Sequence, residues 1–132
     1  MREMLFRGKR IDNGEWVEGE SINTQHDYTG KKHIYIGVLF ESKMNPKQKN
    51  VAWFEVVPET VGQYTGLTDK NGKKIFEGDI VDILTENEEI GIVAYDDGGF
   101  LVNADGFCVD FHSNINGTDL EVIGNIRDNL NW

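Results

Sequence analysis

The sequence predicts a mainly β protein, and three observations support this. Apolar side chains alternate with period two along most of the chain, which is typical of strands. Clusters of Asp, Asn and Gly separate the alternating runs and supply residues that tolerate the positive φ of tight hairpin turns. The 132 residues include 15 glycines but only two prolines, which suits a sheet because proline removes a ladder donor. No long segment has clean helical spacing.

The N-terminal part begins with a predicted hairpin. Residues 16–21 alternate, and the Asp12-Asn13-Gly14 sequence precedes them. We expect Asn13-Gly14 to close a hairpin between this run and a strand around Phe6.

Two further strands are expected in this part. The first places four apolar residues on one face: Ile34, Ile36, Val38 and Phe40. The second, residues 51–57, is apolar on both faces and is expected to be buried on both sides. Pro58 then suits the first position of a single helical turn.

The C-terminal part is expected to contain five short strands at about ten-residue spacing, which favours a small barrel. They begin near Ile80, Ile90, Phe100, Phe107 and Leu120. No Ser- or Pro-rich linker precedes them. We therefore expect residues 1–76 and 77–132 to pack together as one domain, the prior for this length.

Three segments, in order and spanning nearly the whole chain, resemble the YopX family of bacteriophage and prophage proteins. They are Leu5–Arg10 with Gly14–Gly19, the stretch Pro58–Val81 containing Gln63-Tyr64-Thr65-Gly66-Leu67, and Leu120–Asn129. The resemblance implies a single YopX-like domain over residues 1–132, with an N-terminal β-rich part packed against a C-terminal SH3-like barrel. It also implies a bacterial host, but it brings no activity.

Composition and charge narrow the setting. One cysteine excludes an internal disulfide, and no apolar run approaches the roughly 20 residues that span a bilayer. A cytoplasmic protein is therefore expected. Residues 1–76 carry 12 Lys and Arg against 10 Asp and Glu, whereas residues 77–132 carry one Arg against 13 acids. The acidic part would repel a phosphate backbone, so binding of duplex nucleic acid is not expected.

The residues capable of chemistry do not form a recognisable site. Cys108 and His112 share a strand face but lie about 13 Å apart along it, too far to pair, so a half-buried Cys108 is expected. His26 and His33 lack close zinc spacing. Asp79 and Asp82 could serve acid–base chemistry in principle, but nothing marks a pocket around them. The sequence therefore predicts no catalytic residue, no metal and no cofactor.

The function that the sequence favours is a non-enzymatic phage or prophage accessory protein that binds a partner through an acidic barrel. A basic host or phage protein would suit such a surface. The candidate binding residues are Gln63, Tyr64, Leu67, Glu86, Glu88, Glu89, Asp96 and Asp97. Tyr64 and Leu67 are also expected to pack between the two parts. The acidic surface could also imitate the charge of DNA. Homo-oligomerisation is left open.

Two alternatives remain. The first is a nucleic-acid-binding module using the basic N-terminal face, because basic residues near aromatics can bind single strands. Its basic clusters are Arg7, Lys9 and Arg10 near Trp16; Lys43, Lys47 and Lys49; and Lys70, Lys73 and Lys74. The second, a hydrolase, is the least favoured, because it needs a concave site with converging His and acidic residues.

Overall fold

The computed structural model describes residues 4–41, 43–45, 47–84, 89–96, 99–104, 107–110 and 117–127. These residues form twelve strands, all paired antiparallel, and two single 3-10 turns, Pro58–Thr60 and Gly117–Asp119. The mainly β prediction is confirmed. The predicted turn at Pro58 is also confirmed, with proline at its start, where a missing N–H costs nothing.

The strands form three sheets. Their bounds are β1 (Phe6–Lys9), β2 (Trp16–Gly19), β3 (Ser21–His26), β4 (Lys32–Glu41), β5 (Lys49–Val56), β6 (Gly62–Thr68), β7 (Lys74–Phe76), β8 (Asp79–Ile83), β9 (Glu89–Asp96), β10 (Gly99–Ala104), β11 (Phe107–Asp110) and β12 (Leu120–Asn125). The strand orders are β2-β1-β6-β7, β3-β4-β5 and β11-β10-β9-β8-β12.

The chain groups into two compact units, here called the N-terminal unit (Met4–Gln63) and the C-terminal unit (Tyr64–Trp132). Strand β6 starts in the first, where it pairs with β1, and continues in the second, where it pairs with β7. The N-terminal unit has eight Lys and Arg and eight Asp and Glu. The C-terminal unit has four Lys and Arg against 14 Asp and Glu, a net charge of −10.

The predicted N-terminal hairpin is confirmed. Strands β1 and β2 pair with Lys9 opposite Trp16, and the Arg10 N–H donates to the Glu15 carbonyl at 2.9 Å. Gly14 has a φ of 72°, which favours glycine. The Asp-Asn-Gly sequence thus supplied the turn chemistry that the hairpin needs.

The core of the N-terminal unit lies on one face of the β3-β4-β5 sheet. Ile34, Ile36 and Val56 are buried there against Phe6, Val17 and Val61. The four apolar residues predicted on one face of β4 do share a face, and the first two, Ile34 and Ile36, are buried.

Burial decreases along β4, and the prediction that residues 51–57 are buried on both faces is wrong. Along β4, Val38 is half-buried and Phe40 is 48% exposed, because the strand runs past the covered core. Along β5, Val51 and Trp53 are also exposed. They point to the opposite face from Val56, and that face is left open to solvent.

The core of the C-terminal unit is built by β8, β9, β10 and β12, together with Ile75 of β7. Its buried residues are Ile75, Val81, Ile83, Val93, Val102 and Leu120. All five strands predicted in this part are present. They form one sheet in which β11 and β12 are the edges, and no closed barrel is found among the described strands.

Three strands were missed by the sequence analysis: β3, β6 and β7. Strand β3 is polar, and five of its six residues are exposed. Strand β6 contains two glycines, and β7 has only three residues. None of them shows the apolar alternation on which strand prediction depends.

Candidate interaction surfaces

The central motif packs the C-terminal unit. Tyr64 is 6% exposed, and its ring centroid lies 5.5 Å from that of Phe76. Leu67 is half-buried against the core cluster around Ile75 and Val81. Gln63, at the end of the N-terminal unit, donates from Nε2 to Met4 Sδ at 3.5 Å. Tyr64 and Leu67 therefore contribute packing, and partner binding by the three residues stays a prediction.

A buried carboxylate organises the turn that follows. Asp69 Oδ1 accepts hydrogen bonds from the backbone N–H groups of Asn71 and Lys73, each at 2.9 Å. Asp69 Oδ2 accepts one from Val122 N–H of β12 at 2.9 Å. Burial raises the pKa of Asp69, but together the three N–H groups outweigh burial and leave that pKa lowered. The Asp69-Lys70-Asn71-Gly72 sequence has the residue types of a turn, but nothing local in it indicates the link to β12.

Asp79 and Asp82 do not form an acid–base pair. Asp79 is buried at the start of β8, where it accepts from the Phe76 N–H at 2.8 Å and from Asn125 Nδ2 at 3.4 Å. Asp82 lies three residues further along the same strand, so its side chain is on the opposite face of the sheet, where it is half-buried. Asp79 therefore serves the local structure.

Two of the predicted acidic binding residues, Glu89 and Asp96, lie on β9. Glu89 begins that strand and is half-buried, and Asp96 ends it. Glu86, Glu88 and Asp97 lie outside the described residues.

The outer face of the five-stranded sheet carries what we call the isoleucine surface, Ile80, Ile90 and Ile92. Ile90 is 60% and Ile92 is 38% exposed, and Ile80 is half-buried. Ile80 pairs with Ile92, and Asp82 pairs with Ile90 on one side and Glu121 on the other. An apolar patch thus lies beside two carboxylate side chains on the same face, of which Glu121 is paired with Lys70 at 3.4 Å.

Cys108 lies on the same outer face. It pairs with Asn103, which in turn pairs with Ile92. The prediction that Cys108 is half-buried is wrong: the residue is exposed because the face is open, and its thiol donates to Asn103 Oδ1 at 2.7 Å. His112 lies outside the described residues.

The outer face of the β3-β4-β5 sheet carries a second surface, centred on Trp53. Trp53 pairs with Gly37, and a Cβ built on Gly37 would lie 2.9 Å from the Trp53 ring, so the indole lies over that glycine. Asn23, Gln25 and Tyr35 line a groove of about 310 Å³ beside it. The sequence predicted burial of Trp53 because residues 51–57 are apolar on both faces. Neither Gly37 nor the polar residues of β3 indicated that this face of the sheet is open to solvent.

The basic N-terminal residues already have aromatic or acidic neighbours. Arg7 and Lys9 lie 5.0 and 5.8 Å from the centre of the Trp16 ring. Arg10 lies 4.4 Å from the Phe54 ring and donates two hydrogen bonds to Asp12, at 2.9 and 2.6 Å. The Arg10 guanidinium is thus held by Asp12, and Arg7, Lys9 and Trp16 together form a small mixed patch.

His33 lies between two carboxylates in the N-terminal unit. Its Nε2 is 2.9 Å from Asp27 Oδ2, and its Nδ1 is 2.7 Å from Glu55 Oε2. The hydrogen bonds with Asp27 and then with Glu55 raise the pKa of His33. The Thr29 hydroxyl and His33 lower the pKa of Asp27. Protonated His33 therefore joins the β3–β4 turn to β5.

We expect the contribution of His33 to stability to decline in alkali. Since its folded pKa is raised, that contribution is complete below the unfolded value of about 6.5 and is lost as pH rises through the folded pKa. The measurement is denaturant unfolding of the wild type and of His33→Gln across this pH range, with an NMR titration of the imidazole. Glu55→Gln should lower the titration midpoint of His33. An unfolding difference that does not change with pH would contradict this.

Among the described residues, no three His, Cys, Asp or Glu side chains are grouped so as to hold a metal ion. Nor does any described helix have the length and apolar character needed to cross a membrane.

The fold and surfaces define a mainly β protein of antiparallel sheets with open outer faces. The family model described as YopX protein matches residues 5–131, and the chain belongs to the YopX family. A solved structure, that of protein EF1440 from Enterococcus faecalis, is similar, with 22% identity and a TM-score of 0.57 over 99% of this chain and 98% of that one. This likeness concerns the fold alone. No curated protein is matched by the sequence.

Proposed function

We propose that the chain is a non-enzymatic accessory protein of a phage or prophage that binds a basic protein partner in the host cytoplasm. The observation that carries this proposal is the isoleucine surface with Asp82 and Glu121 on the same face, in a unit of net charge −10. Membership of the YopX family supports the phage setting.

The chemistry of this surface suits a partner with an apolar centre and a basic rim. Exposed β-branched side chains supply the apolar area that a protein interface buries at its centre. The surrounding carboxylates attract cationic partners over about a Debye length, and this attraction weakens as salt is added. The acids are therefore expected to set association rate and partner choice more than affinity.

The proposal also includes an SH3-like barrel for the C-terminal unit. Four consecutive strands, β8 to β11, pair in sequence, and β12 lies on the free side of β8. This strand order needs β11 and β12 to meet for the barrel to close. Hydrogen exchange on both edge strands would test closure, since a closed barrel protects amides that an open edge exposes.

The test is capture from lysogenic cells with the wild type and with a double variant, Ile90→Ser with Ile92→Ser. The expected result is loss of a basic protein partner, with affinity reduced about 10-fold or more. The control is Ile11→Ser, the same apolar-to-polar change at an exposed isoleucine of the N-terminal unit. Asp82→Asn should slow association and flatten its salt dependence. A partner retained equally by both isoleucine variants would refute the proposed surface.

The alternative function, binding of nucleic acid, draws support from the patch formed by Arg7, Lys9 and Trp16. A fluorescence anisotropy titration with an oligothymidine strand and with duplex DNA, at about 0.15 M salt, separates the two functions. If the chain is a protein-binding accessory protein, we expect negligible binding of both the oligothymidine strand and the duplex DNA. Single-strand binding abolished by Trp16→Ala would favour the alternative.

A further inference from the structure

The six edge strands of the three sheets differ in their charge. Strands β2, β5, β7, β11 and β12 each contain at least one Lys, Asp or Glu, and charged residues on an edge discourage pairing with another chain. Strand β3, Ser-Ile-Asn-Thr-Gln-His, contains no Lys, Arg, Asp, Glu or Pro. Among the strands that the structure describes, β3 is therefore the edge with the fewest obstacles to pairing.

The β3 edge is open in the described chain. Its pairing partner is β4, and it lies at the end of the β3-β4-β5 sheet. Its residues from Ile22 to His26 are exposed, and Ile22 and Thr24 are β-formers. An exposed backbone edge of six residues is a template for one more strand.

The sequence around β3 is complementary to itself in one antiparallel register. If Asn23 lies opposite Asn23 of a second copy, Ile22 meets Thr24 and Ser21 meets Gln25, all without like charges. The same register places His26 opposite Glu20, which is exposed and immediately precedes β3. Glu20 Oε2 accepts a hydrogen bond from the Leu39 N–H at 3.2 Å, so Oε1 is the oxygen that would meet His26. In this register each pair joins two even-numbered or two odd-numbered residues. The core faces of the two copies therefore lie on one side of the joined sheet and their outer faces on the other.

We propose that β3 is a self-association edge, through which two copies of this chain join their β3-β4-β5 sheets into one six-stranded antiparallel sheet. The backbone ladder supplies the attraction, and the paired His26 and Glu20 side chains fix the register. Asn23 and Gln25 line the groove beside Trp53, so pairing brings the two grooves together at the two-fold axis. This surface is separate from the isoleucine surface, and its test does not depend on the proposed function.

Sedimentation equilibrium over increasing concentration measures the association. The wild-type mass should rise from 15.0 kDa towards twice that value. Asn23→Lys places two lysines opposite each other at the axis and should hold the mass at that of the monomer. Tyr28→Lys, the same new charge at a fully exposed residue of the adjacent turn, should associate like the wild type. A wild type that stays monomeric, or an Asn23→Lys variant that still dimerises, would overturn the proposal.

A second pair of variants tests the register itself. Asn23→Cys in a Cys108→Ser background should oxidise to a disulfide-linked dimer, because paired residues at the axis come within bonding distance. Thr29→Cys in the same background should not. His26→Glu should weaken association through repulsion by Glu20, and adding Glu20→Lys should restore it. Failure of Asn23→Cys to cross-link while the wild type dimerises would place the interface elsewhere.

Discussion

Replacing Asp69 with alanine should lower the free energy of unfolding by about 4 kcal/mol. In the wild type, three backbone N–H groups donate to the buried Asp69 carboxylate, and the substitution leaves all three without that acceptor. An unsatisfied buried donor costs about 1–3 kcal/mol. The effect is large because those donors belong to two places far apart in sequence, the turn at Asn71 and Lys73 and strand β12 at Val122. Denaturant unfolding monitored by circular dichroism measures it.

The control for this prediction is Asp82→Ala. This substitution also removes one Asp carboxylate from the C-terminal unit, but Asp82 is half-buried and pairs with Glu121. We expect its unfolding free energy to stay within about 0.5 kcal/mol of the wild type. Equal losses in the two variants would mean that net charge, and not the three hydrogen bonds, accounts for the change.

Gly117→Ala should cost about 3 kcal/mol, because the chain leaves no room for a methyl group. A Cβ at Gly117 would lie 1.9 Å from the Thr68 carbonyl oxygen and 3.3 Å from Leu67 Cβ. The carbonyl belongs to the backbone, so relief requires the chain itself to move. A thermal unfolding curve gives the loss as a lower midpoint.

The control for Gly117 is Gly124→Ala. A Cβ at Gly124 meets Ile80 Cδ1 at 3.6 Å, an ordinary van der Waals contact. This variant should unfold near the wild-type temperature. If it were destabilised as strongly as Gly117→Ala, the close approach to Thr68 would not be the cause, because a Gly→Ala change without a clash is expected to be neutral or stabilising.

Local sequence was sufficient to predict those strands and turns that are specified by a few neighbouring residues. The five C-terminal strands alternate because one face of each meets the core, as β8 does with buried Val81 and Ile83. The hairpin at Asn13-Gly14 was predictable because its glycine needs positive φ. The YopX relationship was equally readable, since three motifs lie in order along nearly the whole chain.

The sites depended on contacts between distant residues. The sequence could not show that Asp69 reaches Val122, that Gly117 lies against Thr68, or that His33 sits between Asp27 and Glu55. Each is a pairing over a sequence separation that no local pattern encodes.

By itself, the sequence determined the β character, the turns at Asn13-Gly14 and Asn71-Gly72, the acidic C-terminal excess and the family. The tertiary structure decided which strand faces are covered. Val51 and Trp53 are apolar enough for a core, yet they lie on a face with nothing packed over it, and polar β3 is nevertheless a strand because β4 supplies its ladder. An apolar side chain favours burial, but it is buried only if a second layer of structure packs over its face. Whether such a layer is present depends on the whole fold and not on the local sequence.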